Sequence, residues 1–313
     1  MIIDTINDRY FAFQQKHTLW RYCYTSFIAH SISRTIFAPL ERVKILMQSQ
    51  NSIINDQLRY QSTSEAFQRI YKEQGLASFW RGNLTNIYRV IPQNFLKFAA
   101  YNHFKDVFLS QKDKQYYGYD LLLRNLLLGV CSVFFIQLAI YPFETVRMRQ
   151  ICDQKKYFYP NQFNGFSQCL YKIFKKGGIQ QLYKGFFITN ICIMPYLVIA
   201  YTLQDLIKSQ YPTNTQKFEV NTFIYYFGVA GVSALISSLI TYPFDTIKRR
   251  NMMSGIAGFE KQYKGLFNCI NIIYQREGMK GFYGGFTANL FKIVPCLYLQ
   301  FSIYDNSRIL CFE

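Results

Sequence analysis

Six long, mostly apolar segments alternate along the chain with shorter polar stretches. They lie at about residues 19–49, 83–109, 120–151, 186–208, 221–252 and 286–308. Each segment is long enough to cross a bilayer, which takes about 20 helical residues. None is purely apolar, and the mean hydropathy of the chain is only −0.02. Because helices that line a wet cavity need a polar face, this pattern predicts six transmembrane helices around an aqueous interior.

The six segments form three pairs that carry the same motifs in the same order, with a period of about 100 residues. Each odd segment contains a proline, an acid two residues later and a base three residues after that. An aromatic-x-small signal follows, and then a Gly that precedes the even segment: Gly82, Gly185 and Gly285. The motif triplets are Pro39-Glu41-Lys44, Pro142-Glu144-Arg147 and Pro243-Asp245-Lys248. The chain therefore divides into a tail, 1–18, and three repeats, 19–110, 111–214 and 215–313.

Charge narrows the class of partner. The chain has 35 Lys and Arg against 18 Asp and Glu, a formal net charge of +17, although half of its residues are hydrophobic. The basic residues are concentrated in the segments 147–185 and 248–284, which long apolar runs separate. This distribution favours anionic lipid or an anionic solute over nucleic acid. The eight Cys show no paired spacing, and we find no metal spacing, no Gly-rich phosphate loop and no nucleophile–base set, so neither an enzyme nor a metal or cofactor is expected.

Pro-x-acid-x-x-base followed by aromatic-base-Gly, three times over, resembles the mitochondrial carrier family. The resemblance covers nearly the whole chain from about residue 19. It implies an all-α membrane protein of the mitochondrial inner membrane, with six transmembrane helices in three pseudo-symmetric repeats and a short matrix helix in each repeat. By the positive-inside rule the basic segments face the matrix, which puts both termini in the intermembrane space.

The resemblance also implies a gate on the matrix side. Pro39, Pro142 and Pro243 would bend the odd helices so that they converge. The acids and bases after them would pair between repeats as Glu41–Arg147, Glu144–Lys248 and Asp245–Lys44, with Gln48 bracing the last pair. Pairs that break in every cycle are expected to be partly wet and worth roughly 0–1 kcal/mol each. A static ring of salt bridges is the alternative.

A second gate is expected on the cytoplasmic side, near the far ends of the even helices. Its members are Asn102, Lys105, Asp205, Lys208, Asp305 and Arg308. Asn102 stands where the family pattern has an acid. The pairs Lys105–Asp205 and Lys208–Asp305 remain while Arg308 loses its charged partner, so this gate is expected to be the weaker one.

The expected substrate site lies near the midplane, where the repeats meet. Arg89, Cys192 and Lys292 each lie seven residues after the Gly of their repeat, and the resemblance implies that these symmetric positions line the cavity. Ile193 adds an apolar contact, and Arg34 adds a cation just before Pro39. Converging Arg and Lys side chains imply a polyanion such as a phosphate ester. An Arg satisfied by backbone carbonyls is the alternative.

The strings around these residues look like those of carriers for adenine nucleotides and coenzyme A. The ADP/ATP exchanger is less well matched, because its run of three Arg and three Met is only partly reproduced at 248–253. Cardiolipin is the expected bound lipid, at the matrix helix N-termini. His30 and Val133 are bulky where the family has small residues, and glycines at 177 and 284 replace charges. These departures support a rival interpretation, a transport-impaired carrier that serves as an accessory subunit of a respiratory-chain complex.

Overall fold

A computed structural model describes residues 21, 23–50, 59–108, 119–153, 163, 165–196, 199, 220–254, 263 and 265–312. All regular secondary structure in this part of the chain is helical. The α-helices are α1 (23–36), α2 (Ala38–Ser49), α3 (Thr63–Gln74), α4 (Asn83–Phe108), α5 (Tyr119–Cys152), α6 (Phe166–Leu182), α7 (186–196), α8 (Val220–Met253), α9 (Leu266–Glu277) and α10 (Phe286–Phe312). Short 3₁₀ helices cover Leu76–Trp80 and Met279–Tyr283. Among the described residues, no helix combines the length and the apolar content of a membrane span.

The chain divides into two compact units. The first unit comprises residues 1–35, 87–140 and 299–313, and the second comprises 36–86 and 141–298. Within the first unit, His30 joins two helices. Its Nε2 lies 2.6 Å from Gln300 Nε2 on α10, while its Nδ1 lies 2.7 Å from the carbonyl oxygen of Ser26 one turn earlier on α1. The bulk of this side chain is therefore used in a contact between helices.

The three motif prolines occupy two kinds of position. Pro142 and Pro243 lie inside the continuous helices α5 and α8. Pro39 instead lies at the start of α2, because helix α1 ends at residue 36 and Phe37 forms a turn. A proline in the first turn of a helix removes no intrahelical hydrogen bond, so this position is well tolerated. The first apolar segment is thus two helices, where the sequence predicts one bent helix.

Each repeat has the predicted short helix between its longer ones: α3, α6 and α9. Two small or aliphatic residues four apart pack each short helix inward and are at most 1% exposed: Ala66 and Ile70, Cys169 and Ile173, Cys269 and Ile273. Helix α3 begins at a Ser62 N-cap, whose hydroxyl accepts from the Glu65 amide at 3.1 Å. A buried stripe defines all three short helices locally, and a side-chain cap adds to it in α3.

A buried arginine on α2, α5 or α8 contacts the short-helix region of the same repeat. Arg42, Arg149 and Arg250 are at most 6% exposed. Each donates to a carbonyl three residues after a glycine of positive φ, which ends α3 and α9 and kinks α6, and these carbonyls belong to Ser78, Gln181 and Gly281. Repeats 2 and 3 use the position seven residues after the proline. Repeat 1 has Leu46 there and uses Arg42, one turn earlier.

Candidate functional site

Three ion pairs lie within the second unit, on the parts of α2, α5 and α8 that follow the motif prolines. The carboxylates belong to α2, α5 and α8, and each pairs with a base from another repeat. The closest N–O distances are 2.7 Å for Glu41–Arg147, 2.7 Å for Glu144–Lys248 and 2.8 Å for Asp245–Lys44. The structure therefore contains all three ion pairs that the family pattern predicts. We call these six residues the ion-pair network.

The ion-pair network is drier than the sequence analysis expects. Five of its six side chains are only 10–12% exposed, and Asp245 is 27% exposed. The Tyr242 ring contributes to this shielding, because Lys44 Nζ lies 5.1 Å from its centroid. Removing one partner of a buried pair leaves an uncompensated charge and typically costs about 3–5 kcal/mol. The value of 0–1 kcal/mol for wet pairs therefore does not describe single substitutions here.

Neutral polar groups complete the Asp245 pair. Lys44 Nζ donates to Asn289 Oδ1 at 2.9 Å, and Asn289 Nδ2 donates to Ser238 Oγ at 2.7 Å. Gln48 Nε2 lies 3.4 Å from Asp245 Oδ2 and 3.4 Å from Thr246 Oγ1. The predicted brace is thus present as a long contact that Gln48 divides between two acceptors. Such satisfied hydrogen bonds lower the cost of burying the charges.

Two further cations contact two of the three carboxylates of the ion-pair network. Arg249 Nε lies 3.4 Å from Asp245 Oδ1, and Lys292 Nζ lies 3.3 Å from Glu41 Oε2. Five cations therefore surround three carboxylates, which leaves a local surplus of two positive charges. Sequence reasoning missed Arg249. Its position directly after Lys248, in a run of three bases, was the available signal.

A cavity of about 290 Å³ lies beside the ion-pair network. Three of its lining residues are cations, Lys44, Lys248 and Arg249, and the carboxylate of Asp245 lies among them. Three others come from helix α7: Cys192, Ile193 and Tyr196. The cavity thus has a basic wall and a largely apolar wall, which suits an anion that carries a planar or apolar group. Two predicted substrate residues, Cys192 and Ile193, line it.

The other predicted site residues are placed differently. Lys292 contacts Glu41. Among the described residues of α10, Asn289 and Ile293 line the cavity. Arg34 and Arg89 belong to the first unit, where both are half-buried.

The cytoplasmic gate and the tail lie largely beyond what the structure describes. Asp205, Lys208 and the tail 1–18 lie outside the described residues. For the other four members the structure describes the helical backbone but not the side chains: Asn102, Lys105, Asp305 and Arg308.

A second cavity, of about 490 Å³, lies at the corner between repeats 1 and 2. Trp80 and Arg81 line it from the aromatic-base-Gly motif, and Gly165 and Phe166 line it from the start of α6. Arg81 Nη2 lies 2.5 Å from Asp153 Oδ2, so a carboxylate compensates this guanidinium.

Comparison with known sequences agrees with the repeats. A family profile described as mitochondrial carrier protein matches residues 15–112, 120–215 and 219–313. ADP/ATP translocase 4 of Homo sapiens is 37% identical over 268 residues, which are 85% of this chain and 83% of the relative. ADP/ATP translocase 3 of Bos taurus is 34% identical over 268 residues, 85% of this chain and 89% of the relative. The sequence analysis ranks ADP/ATP exchangers lower, because the run at 248–253 matches theirs only partly. The identity to ADP/ATP translocases argues against that ranking.

Proposed function

Because the chain belongs to the mitochondrial carrier family, we propose that it exchanges adenine nucleotides, or a related phosphorylated anion, across the mitochondrial inner membrane. The resemblance that the repeated motifs indicate is confirmed by the family match and by the identity to ADP/ATP translocases. The translocases' names support a nucleotide as the exchanged solute.

The charge of the cavity carries the proposal. Lys44, Lys248 and Arg249 line one wall together with the carboxylate of Asp245, and with Lys292 the cations around the ion-pair network exceed its carboxylates by two. Neighbouring cations with too few carboxylates repel each other, and a polyanion relieves that repulsion. A phosphate chain can take point charges from Lys and a planar fork from Arg. The apolar wall at Cys192, Ile193 and Tyr196 then offers a surface for a nucleobase.

Alternating access would use the two gates in turn. The ion-pair network is formed in the conformation described here, and in this proposal its formation closes the matrix side. A bound anion lowers the free energy of the conformation that it fits best, and opening follows when that conformation lacks the network. Arg34 and Arg89 are retained in this proposal as further substrate contacts, and the cytoplasmic gate as its second barrier. Both termini would face the intermembrane space.

The cavity at Trp80, Arg81, Gly165 and Phe166 is our candidate for cardiolipin. It lies against the first turn of α6, whose amides have no side-chain cap. The backbone amides of a helix's first turn point outward along the helix axis and attract phosphate groups. Since Asp153 compensates Arg81, these amides would supply most of the attraction at this corner.

Uptake into proteoliposomes tests the proposal. Purified protein would be reconstituted with internal ADP and offered labelled ATP, ADP, AMP or coenzyme A, with Arg89→Ala as the loss-of-charge control. We expect saturable uptake of at least one adenine nucleotide that requires internal counter-solute. Failure of all four in vesicles that retain folded protein would contradict exchange. Purification of the chain within a respiratory assembly would then support the accessory role, which no contact among the described residues favours.

A further inference from the structure

The two ring nitrogens of His30 contact two different helices of the first unit. Nδ1 lies 2.7 Å from the carbonyl oxygen of Ser26 on α1, and Nε2 lies 2.6 Å from Nε2 of Gln300 on α10. Helix α1 belongs to repeat 1 and α10 to repeat 3, so the ring joins two repeats within this unit. We call the His30–Gln300 pair the α1–α10 contact.

The Ser26 carbonyl determines which protonation state of the ring this arrangement needs. A carbonyl oxygen only accepts hydrogen bonds, so His30 Nδ1 must carry a proton. The amide nitrogen of Gln300 only donates, so His30 Nε2 must accept and has no second proton to offer. The arrangement therefore requires a neutral ring in its Nδ1–H form. A protonated ring would place two N–H donors against each other at 2.6 Å.

Protonation of His30 forces one of two rearrangements. Either the Gln300 amide turns by half a rotation and presents its oxygen to the ring, or the two helices move apart at this point. Histidine is the side chain that ordinarily titrates near pH 6.5, and the His30 ring is half-buried, so solvent protons can reach it. The state of the α1–α10 contact thus depends on a proton.

The charges described in the first unit oppose a protonated ring. Arg34 lies one turn after His30 on α1, and like charges four residues apart on a helix repel each other. The other charged side chains described in this unit are Arg21 and Arg89, which are also cations. The remaining titratable side chains described in this unit, and those within one turn before Gln300 on α10, are ordinarily neutral: Cys23, Tyr24, Tyr88, Cys131, Cys296 and Tyr298.

We infer that His30 makes the α1–α10 contact sensitive to pH. The neutral ring accepts from Gln300 and holds repeats 1 and 3 together in the first unit, and protonation below about pH 6.5 loosens them. The family pattern has a small residue at position 30, so that pattern does not supply this contact. The inference goes beyond the proposed function, because it holds whichever solute is exchanged.

Nuclear magnetic resonance of isotope-labelled histidine rings tests the inferred state directly. The chain has three His, so the full-length protein in detergent gives three sets of ring signals, which His17→Gln, His30→Gln and His103→Gln assign one at a time. We expect the His30 ring to be neutral and in the Nδ1–H form at pH 7.5. A ring that is doubly protonated or in the Nε2–H form at this pH would overturn the inference.

The pH dependence of the unfolding temperature tests the consequence. Because only the neutral ring fits, the parent should lose stability as the pH falls from 7.5 to 5.5. His30→Gln should reduce this loss by about 2–4 °C, and so should Gln300→Leu, which removes the donor and keeps the histidine. Gln300→Glu should reduce it further, because a carboxylate accepts from a protonated ring.

His103→Gln is the matched control, since it removes a histidine from α4 of the same unit and should leave the loss unchanged. If His30→Gln does not fold, the two Gln300 variants and the ring signals of the parent decide the question. A loss of stability that is the same in the parent, His30→Gln and both Gln300 variants refutes the inference.

Discussion

Asp245, which like Glu41 contacts two cations, gives the sharpest stability prediction when its charge is removed. Lys44 Nζ lies 2.8 Å from one oxygen, and Arg249 Nε lies 3.4 Å from each. Lys44 and Asp245 come from different repeats. Asp245→Asn keeps the shape of the side chain and removes its charge. Two buried cations would then face each other without the carboxylate between them.

The expected cost is large because the two remaining cations are largely shielded from bulk water. The Lys44 and Arg249 side chains are 10% and 13% exposed. Removing the partner of such buried cations typically costs about 3–5 kcal/mol. At a few degrees per kcal/mol for a chain of this size, the unfolding temperature should fall by on the order of 10 °C. Intrinsic fluorescence during heating of purified protein in detergent would measure the shift.

The chain provides a matched control on the surface of α3. Arg69 Nε and Glu73 Oε1 are 2.8 Å apart, as close as Lys44 and Asp245, and the two carboxylates are equally exposed at 25% and 27%. The cations differ, because Arg69 is 26% exposed and Lys44 is 10% exposed. Helix-surface pairs four residues apart are worth about 0.3–0.5 kcal/mol, so Glu73→Gln should lower the unfolding temperature by only about 1–2 °C. Asp245→Glu, which keeps the charge, should lose less stability than Asp245→Asn. An Asp245→Asn shift no larger than that of Glu73→Gln would refute the argument from burial.

Three further predictions concern single positions. Gly285 has a φ of +74°, and a Cβ there would lie 3.0 Å from the Lys44 carbonyl oxygen, so Gly285→Ala should lower the unfolding temperature more than an exposed substitution such as Lys280→Ala. Arg81→Gln leaves Asp153, whose side chain is 8% exposed, without its guanidinium, so it should destabilise the protein more than the double variant Arg81→Gln/Asp153→Asn does; equal loss would contradict a direct pair. Burial raises the pKa of the Cys169 thiol to about 12, so maleimide should label this Cys slowly at pH 8 in the folded protein and quickly after denaturation, and its folded rate should rise steadily between pH 8 and 10 as the thiolate fraction grows.

Most of the fold could be predicted because its determinants are repeated. The predicted segments 83–109, 120–151 and 221–252 agree within a residue or two with α4 at Asn83–Phe108, α5 at Tyr119–Cys152 and α8 at Val220–Met253. A motif that occurs three times marks the same helix ends three times, and each occurrence checks the others. The start of α2 could not be predicted in this way. Whether a proline bends a helix or begins a new one depends on the backbone before it, here the Phe37 turn.

The contacts of the candidate site were harder to predict where the three repeats differ. Arg249 and Lys292 join Asp245 and Glu41, but no symmetric rule assigns partners to them. In repeat 1 the buried arginine is Arg42, one turn before Leu46, which stands at the arginine position of the other repeats. Two positions on one helix face can reach the same carbonyl. The position of a Lys or Arg in the sequence restricts its partners to acceptors within about one helical turn. Packing then decides which of these acceptors the side chain binds.

Burial of the ion-pair network does not make it a static ring. A single substitution strands one charge in a dry site, and that accounts for its large cost. When the helices separate, both partners of a pair return to water together, and their regained hydration offsets the lost attraction. The cost of opening is therefore the small difference between two large terms, provided that all three pairs open to water in one step. A surplus of two positive charges at Arg249 and Lys292 lowers that difference further, since their repulsion opposes the closed arrangement until an anion relieves it. The same network can thus be intolerant of single changes and still open in a transport cycle.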